Sequence, residues 1–134
     1  MAVKEYLGRA LQLDQLIHSK MEEVNQFRRL AESISAGCLE EHVSRSAPEE
    51  ASYTKWVERI VEKEKELDAD IDRLVSVKME ISGFIGRVRN PQWQCLLRSR
   101  YVMGKSWAQI AEEMDCSLRS VHRFHKKIIK NLEN

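Results

Sequence analysis

The sequence predicts an all-α protein, in which a long antiparallel, coiled-coil-like helical hairpin is followed by a three-helix helix-turn-helix domain. Three observations carry this. Apolar residues recur at alternating steps of four and three over two long stretches. No segment alternates with the period of two that a half-buried strand needs. The only two prolines, Pro48 and Pro91, divide the chain into three helical stretches together with the glycines.

The first stretch, from about Val3 to Ile34, carries the seam Tyr6, Ala10, Leu13, Ile17, Val24, Phe27, Ala31 and Ile34, with Lys20 as the exception. Leu7, Leu11, Leu16, Met21 and Leu30 widen the apolar stripe, so this helix is expected to pack against more than one neighbour. Residues 36–52 lose the period and contain Gly37 and Pro48, which predicts a loop. The second stretch, from about Tyr53 to Val88, repeats apolar residues at Tyr53, Val57, Ile60, Leu67, Ile71, Leu74, Ile81, Ile85 and Val88, and Glu64 and Lys78 interrupt it. Two such helices joined by one loop most simply fold back on each other, making residues 1–88 an arm. Because a bare pair of helices leaves much of these stripes uncovered, a homodimer through the N-terminal helices is expected.

Residues 89–134 form the second domain. Asn90 is placed as an N-cap and Pro91 at the first helical position of a helix that buries Trp93, Leu96, Leu97, Tyr101 and Val102 and ends at Gly104. Ser106 caps a short second helix with Gln109 as its capping-box partner, and Trp107, Ile110, Ala111 and Met114 fall on one face. After a turn at Asp115 and Cys116, Ser117 caps a third helix that extends to about Leu132. A short helix, a tight turn and a second helix form the layout of a helix-turn-helix.

Charge sets the two parts apart. The net charge of +1 conceals 12 basic and 17 acidic side chains in residues 1–86, against 10 and 4 in residues 87–134. At 100° per residue, Leu118, Val121, Phe124, His125, Ile128, Ile129 and Leu132 share one arc of the third helix. Arg119, His122, Arg123, Lys126, Lys127 and Lys130 share the opposite one. Like charges at i and i+4 repel by a few tenths of a kcal/mol, so such a face implies a polyanionic partner. Double-stranded DNA, with a charge every ~1.7 Å of axis, is the expected partner. In helix-turn-helix docking the start of the second helix meets base edges and its end meets backbone. Arg119, Ser120, His122 and Arg123 are therefore the candidates for base readout, with a recognition helix of about 118–132 in the major groove. Lys126, Lys127 and Lys130 are candidates for phosphate contact, joined by Lys105, Ser106 and Gln109 at the start of the preceding helix.

The stretch LLRSRYVMGKSWAQIAEEMDCSLRSVHRFHKKIIKNL resembles the fourth region of sigma factors, the domain that reads the upstream promoter element. The matching features are Leu97, Arg100 and Tyr101 before Gly104, then Ser106, Trp107, Ile110, Ala111, Glu112, Glu113, Met114, Ser117 and Val121, with the basic tail ending at Leu132. Taken whole, with the segment DADIDRLVSVKMEI, the sequence resembles a family of small sigma-like phage and prophage proteins of Gram-positive bacteria. The resemblance implies a transcriptional regulator. Asp115 stands where many sigma domains have glycine or asparagine, Cys116 where they have an aliphatic residue, and Leu118 where they have a polar one. The promoter preference of sigma factors therefore does not transfer. Nothing resembles the region that melts promoter DNA, which points to an accessory regulator, with RNA polymerase as a further candidate partner. Two alternatives stand beside it. A terminase small subunit also joins a helix-turn-helix to an oligomerising helical region, and a protein-binding module would capture RNA polymerase or another host factor without touching DNA.

Three widely spaced cysteines, Cys38, Cys95 and Cys116, suit free thiols in a reducing compartment. No apolar run reaches the ~18 residues of a membrane span, and no secretion signal opens the chain, so the cytoplasm of a bacterial host is expected. His122 and His125 lie three apart on different faces, and the CxxxH spacing of Cys38 and His42 is weak alone, so no metal site is expected. Glu62, Glu64, Glu66, Asp68, Asp70 and Asp72 spread around a helix and are read as a solvated face. No phosphate loop, catalytic grouping or pocket pattern is present, so neither an enzyme nor a cofactor is expected.

Overall fold

A computed structural model describes residues 2–40 and 47–134, with side chains described outside 35–51. His42 and the side chain of Cys38 lie outside the described residues. The described chain is helical, and no strand occurs among those residues. The order is α1 (Val3–Glu40), α2 (Ala47–Gly86), α3 (Pro91–Leu97), a π turn (Arg98–Val102), α4 (Trp107–Glu113) and α5 (Leu118–Glu133). Among the described residues, no helix is long and apolar enough to cross a membrane.

Both long helices extend into the stretch where composition predicted a loop. Gly37 falls inside α1, where one glycine costs only ~1 kcal/mol relative to alanine. Pro48 falls in the first turn of α2, where an N–H has no intrahelical acceptor to lose.

Contacts divide the chain into two compact units. The first comprises the described residues up to Asp14 together with Arg73–Asn134, and the second is Gln15–Asp72. Within the second unit, Ile17, Val24 and Ala31 of α1 and Ile60 and Leu67 of α2 are buried. Each series has the seven-residue step of a heptad seam. Tyr53 packs against the cluster formed by Val24, Ala31 and Ile60. Charged pairs flank it: Lys20 Nζ lies 2.6 Å from Asp70 Oδ2, Lys63 Nζ lies 3.1 Å from Glu23 Oε1, and Arg28 pairs with Glu64. Two of the residues that break the apolar pattern, Lys20 and Glu64, are thus the ones that reach across to the other helix. The hydrogen bond to Asp70 holds the Lys20 ammonium above the usual lysine range. Of the six carboxylates read as solvated, Glu64 and Asp70 face α1, and the others are exposed.

Within the first unit the seven-residue series continues as Ala10 on α1 and as Leu74, Ile81 and Val88 on and just after α2. Tyr6 packs its ring 5.2 Å from that of Phe84, and its hydroxyl donates to Glu80 Oε1 at 3.2 Å. The Arg9 guanidinium sits 4.4 Å from the Tyr6 ring centre and 3.2 Å from Glu80. Arg98 donates to Ser82 Oγ at 2.8 Å, and Gln94 Nε2 donates to the Val88 carbonyl at 2.6 Å, which ties α3 and the π turn to the end of α2.

Candidate nucleic-acid interface

The site is assembled from short helices whose ends are defined by their sequence. Asn90 Oδ1 accepts from the Gln92 and Trp93 amides at 2.9 and 3.4 Å, and Pro91 occupies the first turn, which starts α3. The regular helix lasts only to Leu97; the next five residues form a π turn, in which the Met103 amide bonds the Arg98 carbonyl at 2.9 Å. This geometry has no sequence signature, and the periodicity predicted one continuous helix to Gly104. Gly104, at φ +71°, then redirects the chain in a conformation natural to glycine. Ser106 and Gln109 form the reciprocal capping box that starts α4: Ser106 Oγ accepts from the Gln109 amide at 3.1 Å, and Gln109 Oε1 accepts from the Ser106 amide at 3.0 Å. Ser117 Oγ accepts from the Ser120 amide at 3.1 Å and starts α5.

Between α4 and α5 the turn passes through Asp115 at φ +54°, a left-handed conformation that aspartate tolerates better than most side chains. Glycine would hold this backbone conformation at lower steric cost.

The helix α5 is divided lengthwise. Val121, His125, Ile128 and Ile129 are buried, with Phe124 and Leu132 half-buried beside them. Arg119, Ser120, His122, Arg123, Lys126, Lys127 and Lys130 are all exposed. Leu118 and Met114, predicted to be buried, are 48% and 41% exposed. They stand at the start of α5 and the end of α4, on either side of the turn that joins the two helices.

A polar and aromatic cluster joins the pieces. Tyr101 is buried with its hydroxyl 2.6 Å from His125 Nε2. The Trp107 ring lies 4.6 Å from the His125 ring and 5.0 Å from that of His122, so one indole touches both histidines. The Arg100 guanidinium lies 4.6 Å from the Trp107 ring centre and donates to the Lys105 carbonyl at 3.0 Å. Burial pushes the Tyr101 phenol up to about 12. Burial, aided by the positive charges of Lys4, Arg100 and His122, pushes the His125 imidazole down to about 4. At neutral pH this is a hydrogen-bonded neutral pair, as a buried polar contact requires.

The residues expected to meet phosphate fall into two groups. Lys126, Lys127 and Lys130 extend along the open face of α5. Lys105 instead donates to both oxygens of Glu113, at 2.8 and 3.0 Å. Ser106 and Gln109 remain exposed while capping each other. Ser120 accepts a hydrogen bond from Ser117 Oγ at 2.9 Å. Sequence reasoning did not single out Arg100 as a site residue. It is seven positions from Trp107, but the π turn and Gly104 between them break the helical register that would relate positions so spaced.

A family model described as Protein of unknown function (DUF1492) matches residues 33–133. No curated protein and no solved structure matches the chain.

Proposed function

The chain belongs to the DUF1492 family, and from that premise we propose that it is a phage-type transcriptional regulator that binds double-stranded DNA in a sequence-specific manner. On this reading α4 and α5 are the two helices of a helix-turn-helix related to the fourth region of sigma factors, and α5 lies in the major groove. The paired stretches of α1 and α2 are an antiparallel hairpin through which two copies meet. The observation that carries the proposal is the division of α5: its apolar side is buried, while two arginines, three lysines and His122 share its exposed side. Neutral His125, the one titratable group on the buried side, leaves that division intact.

The roles follow from chemistry. Arg119 and Arg123, near the start of α5, can each grip guanine O6 and N7 through two parallel hydrogen bonds, worth ~1–3 kcal/mol of discrimination. Ser120 and His122 supply shorter-range donors beside them. Lys126, Lys127 and Lys130 supply compact charges for phosphate. Ser106 and Gln109 border the same surface, and Lys105 reaches phosphate only by releasing Glu113.

Gel shifts on mixed-sequence DNA at low salt test the reading, with micromolar or tighter non-specific binding expected. The double variant R119A/R123A is expected to relax sequence choice. K126A/K130A is expected to weaken binding to every sequence and to reduce the salt slope by about two. Wild-type affinity in both variants overturns the proposal.

A second reading, capture of RNA polymerase or another protein, is favoured by one feature of the same domain. An apolar cleft of about 670 Å³ lies between α3 and the α4–α5 pair, with Leu96, Ile110, Val121 and Phe124 among its lining. Absence of any DNA shift at low salt would favour it.

A further inference from the structure

The second unit carries an apolar groove of about 430 Å³ between α1 and α2. Its deepest residues, Ala31 and Ile60, are buried. Its walls are not: Phe27 is 37% exposed, Leu30 54%, Ile34 42% and Trp56 41%. Single exposed apolar residues are ordinary, but four large ones converging on a single concavity make a patch of the kind that marks an interaction site. A trench between two helices has the shape that receives a third, with large side chains spaced along one face.

The charges identify the guest. Both charged residues that line the groove, Arg59 and Lys63, are cations. The Arg59 guanidinium lies 5.1 Å from the Trp56 ring centre, the Lys55 ammonium 5.9 Å from that ring, and the Lys63 ammonium 5.9 Å from Phe27. Lys63 also meets Glu23 at 3.1 Å. Tryptophan and arginine in contact are the side chains most enriched among binding hot spots. A second copy seating its own groove here by two-fold symmetry would bring Arg59 and Lys63 of both copies into one interface, with no groove-lining carboxylate to offset them. Like charges brought together at an interface disfavour that partner, whereas opposite charges guide the right one. We propose that this groove docks an acidic amphipathic helix of another protein, its apolar row seated between Phe27 and Trp56 and its carboxylates against Arg59 and Lys55. This inference stands apart from the DNA-binding reading and uses no residue of that surface.

The test is a fluorescence-anisotropy titration of the full chain against two labelled synthetic peptides. One is a helix of about four turns with leucine and phenylalanine at i, i+3 and i+7 spacing and glutamate elsewhere. The other replaces every glutamate with lysine. The glutamate peptide is expected to bind at least tenfold more tightly, roughly 1.4 kcal/mol in the binding free energy. Arg59→Glu is expected to reduce or reverse that preference, and Trp56→Ala to weaken the glutamate peptide by about tenfold, with helicity by circular dichroism unchanged in both. Equal binding of the two peptides, or an unaltered preference in Arg59→Glu, overturns the proposal. So does a wild-type dimer that Leu30→Glu converts to monomer in sedimentation, since that outcome gives the groove to a second copy. Gel shifts on the same variants report DNA binding separately, so failure of one reading does not masquerade as failure of the other.

Discussion

Asp115, in the turn before α5, pays a steric cost for its left-handed backbone that glycine avoids. Asp115→Gly is expected to raise stability by roughly 0.5 kcal/mol, because part of the relief is offset by glycine's greater freedom in the unfolded chain. Asp115→Val should lower it by about 2 kcal/mol, since a β-branched side chain is strained at positive φ. Urea unfolding of the three proteins checks both signs. His125 adds a dependence on pH. Its folded value, about 4, lies below the ordinary histidine value of 6.5, so between those limits the unfolded chain binds a proton that the folded chain refuses. Stability is full above pH 6.5 and is lost as pH falls towards 4, by about 2 kcal/mol between pH 7 and pH 5. His125→Phe should flatten that slope in urea titrations across the range. The position of His125 in the buried arc was legible from the helical wheel. Its partner Tyr101 was legible only as an apolar position, because a hydrogen bond across 24 residues leaves no trace in periodicity.

At the level of elements, caps were the most readable features. Asn90, Ser106 with Gln109, and Ser117 each accept the amide bonds their residue types imply, because capping is a local reaction of side chain with backbone. Ser106→Ala should therefore cost about 1 kcal/mol of stability. The central apolar contact of α5 weighs more: Ile128 is fully buried, and Ile128→Ala is expected to cost about 3 kcal/mol and to loosen the helix that carries the cationic face. Thermal or urea unfolding separates the two magnitudes. The π turn was not legible, since the bonds its residues make, Arg98 with Ser82 and Tyr101 with His125, are long-range and leave no trace in the local sequence. The loop predicted over residues 36–52 was too long for a related reason. A glycine and a proline indicate where a helix can end, and the surrounding alanine, leucine and glutamate residues carry both helices past those points.

At the scale of the whole molecule, the seam residues were legible in the sequence as every seventh position: 10, 17, 24 and 31 on one long helix, then 60, 67, 74, 81 and 88 along the other and just beyond it. The positions that interrupt the pattern could not be interpreted from sequence, because a lysine in a seam reads the same whether it is paired or solvated. Lys20 and Glu64 acquire meaning only from Asp70 and Arg28. Two copies joined through the long helices would present two reading helices. The expected consequences are a solution mass of twice 15.7 kDa and DNA half-sites separated by whole turns, roughly 10 bp or multiples of it. Sedimentation at micromolar concentration and selection from a random DNA pool check them. A mass of one chain removes the dimer, and a ring of many copies favours the packaging-type alternative.

Trp107, held between two imidazoles and a guanidinium, also gives the protein a natural optical gauge. Indole emission depends on the groups packed against the ring, and on the DNA-binding reading proposed above a duplex would cover the exposed His122 beside it. Emission from this tryptophan should therefore change when a duplex arrives. Trp56 and Trp93, the other two indoles of the chain, lie outside that cage and supply the steady background against which the change is read.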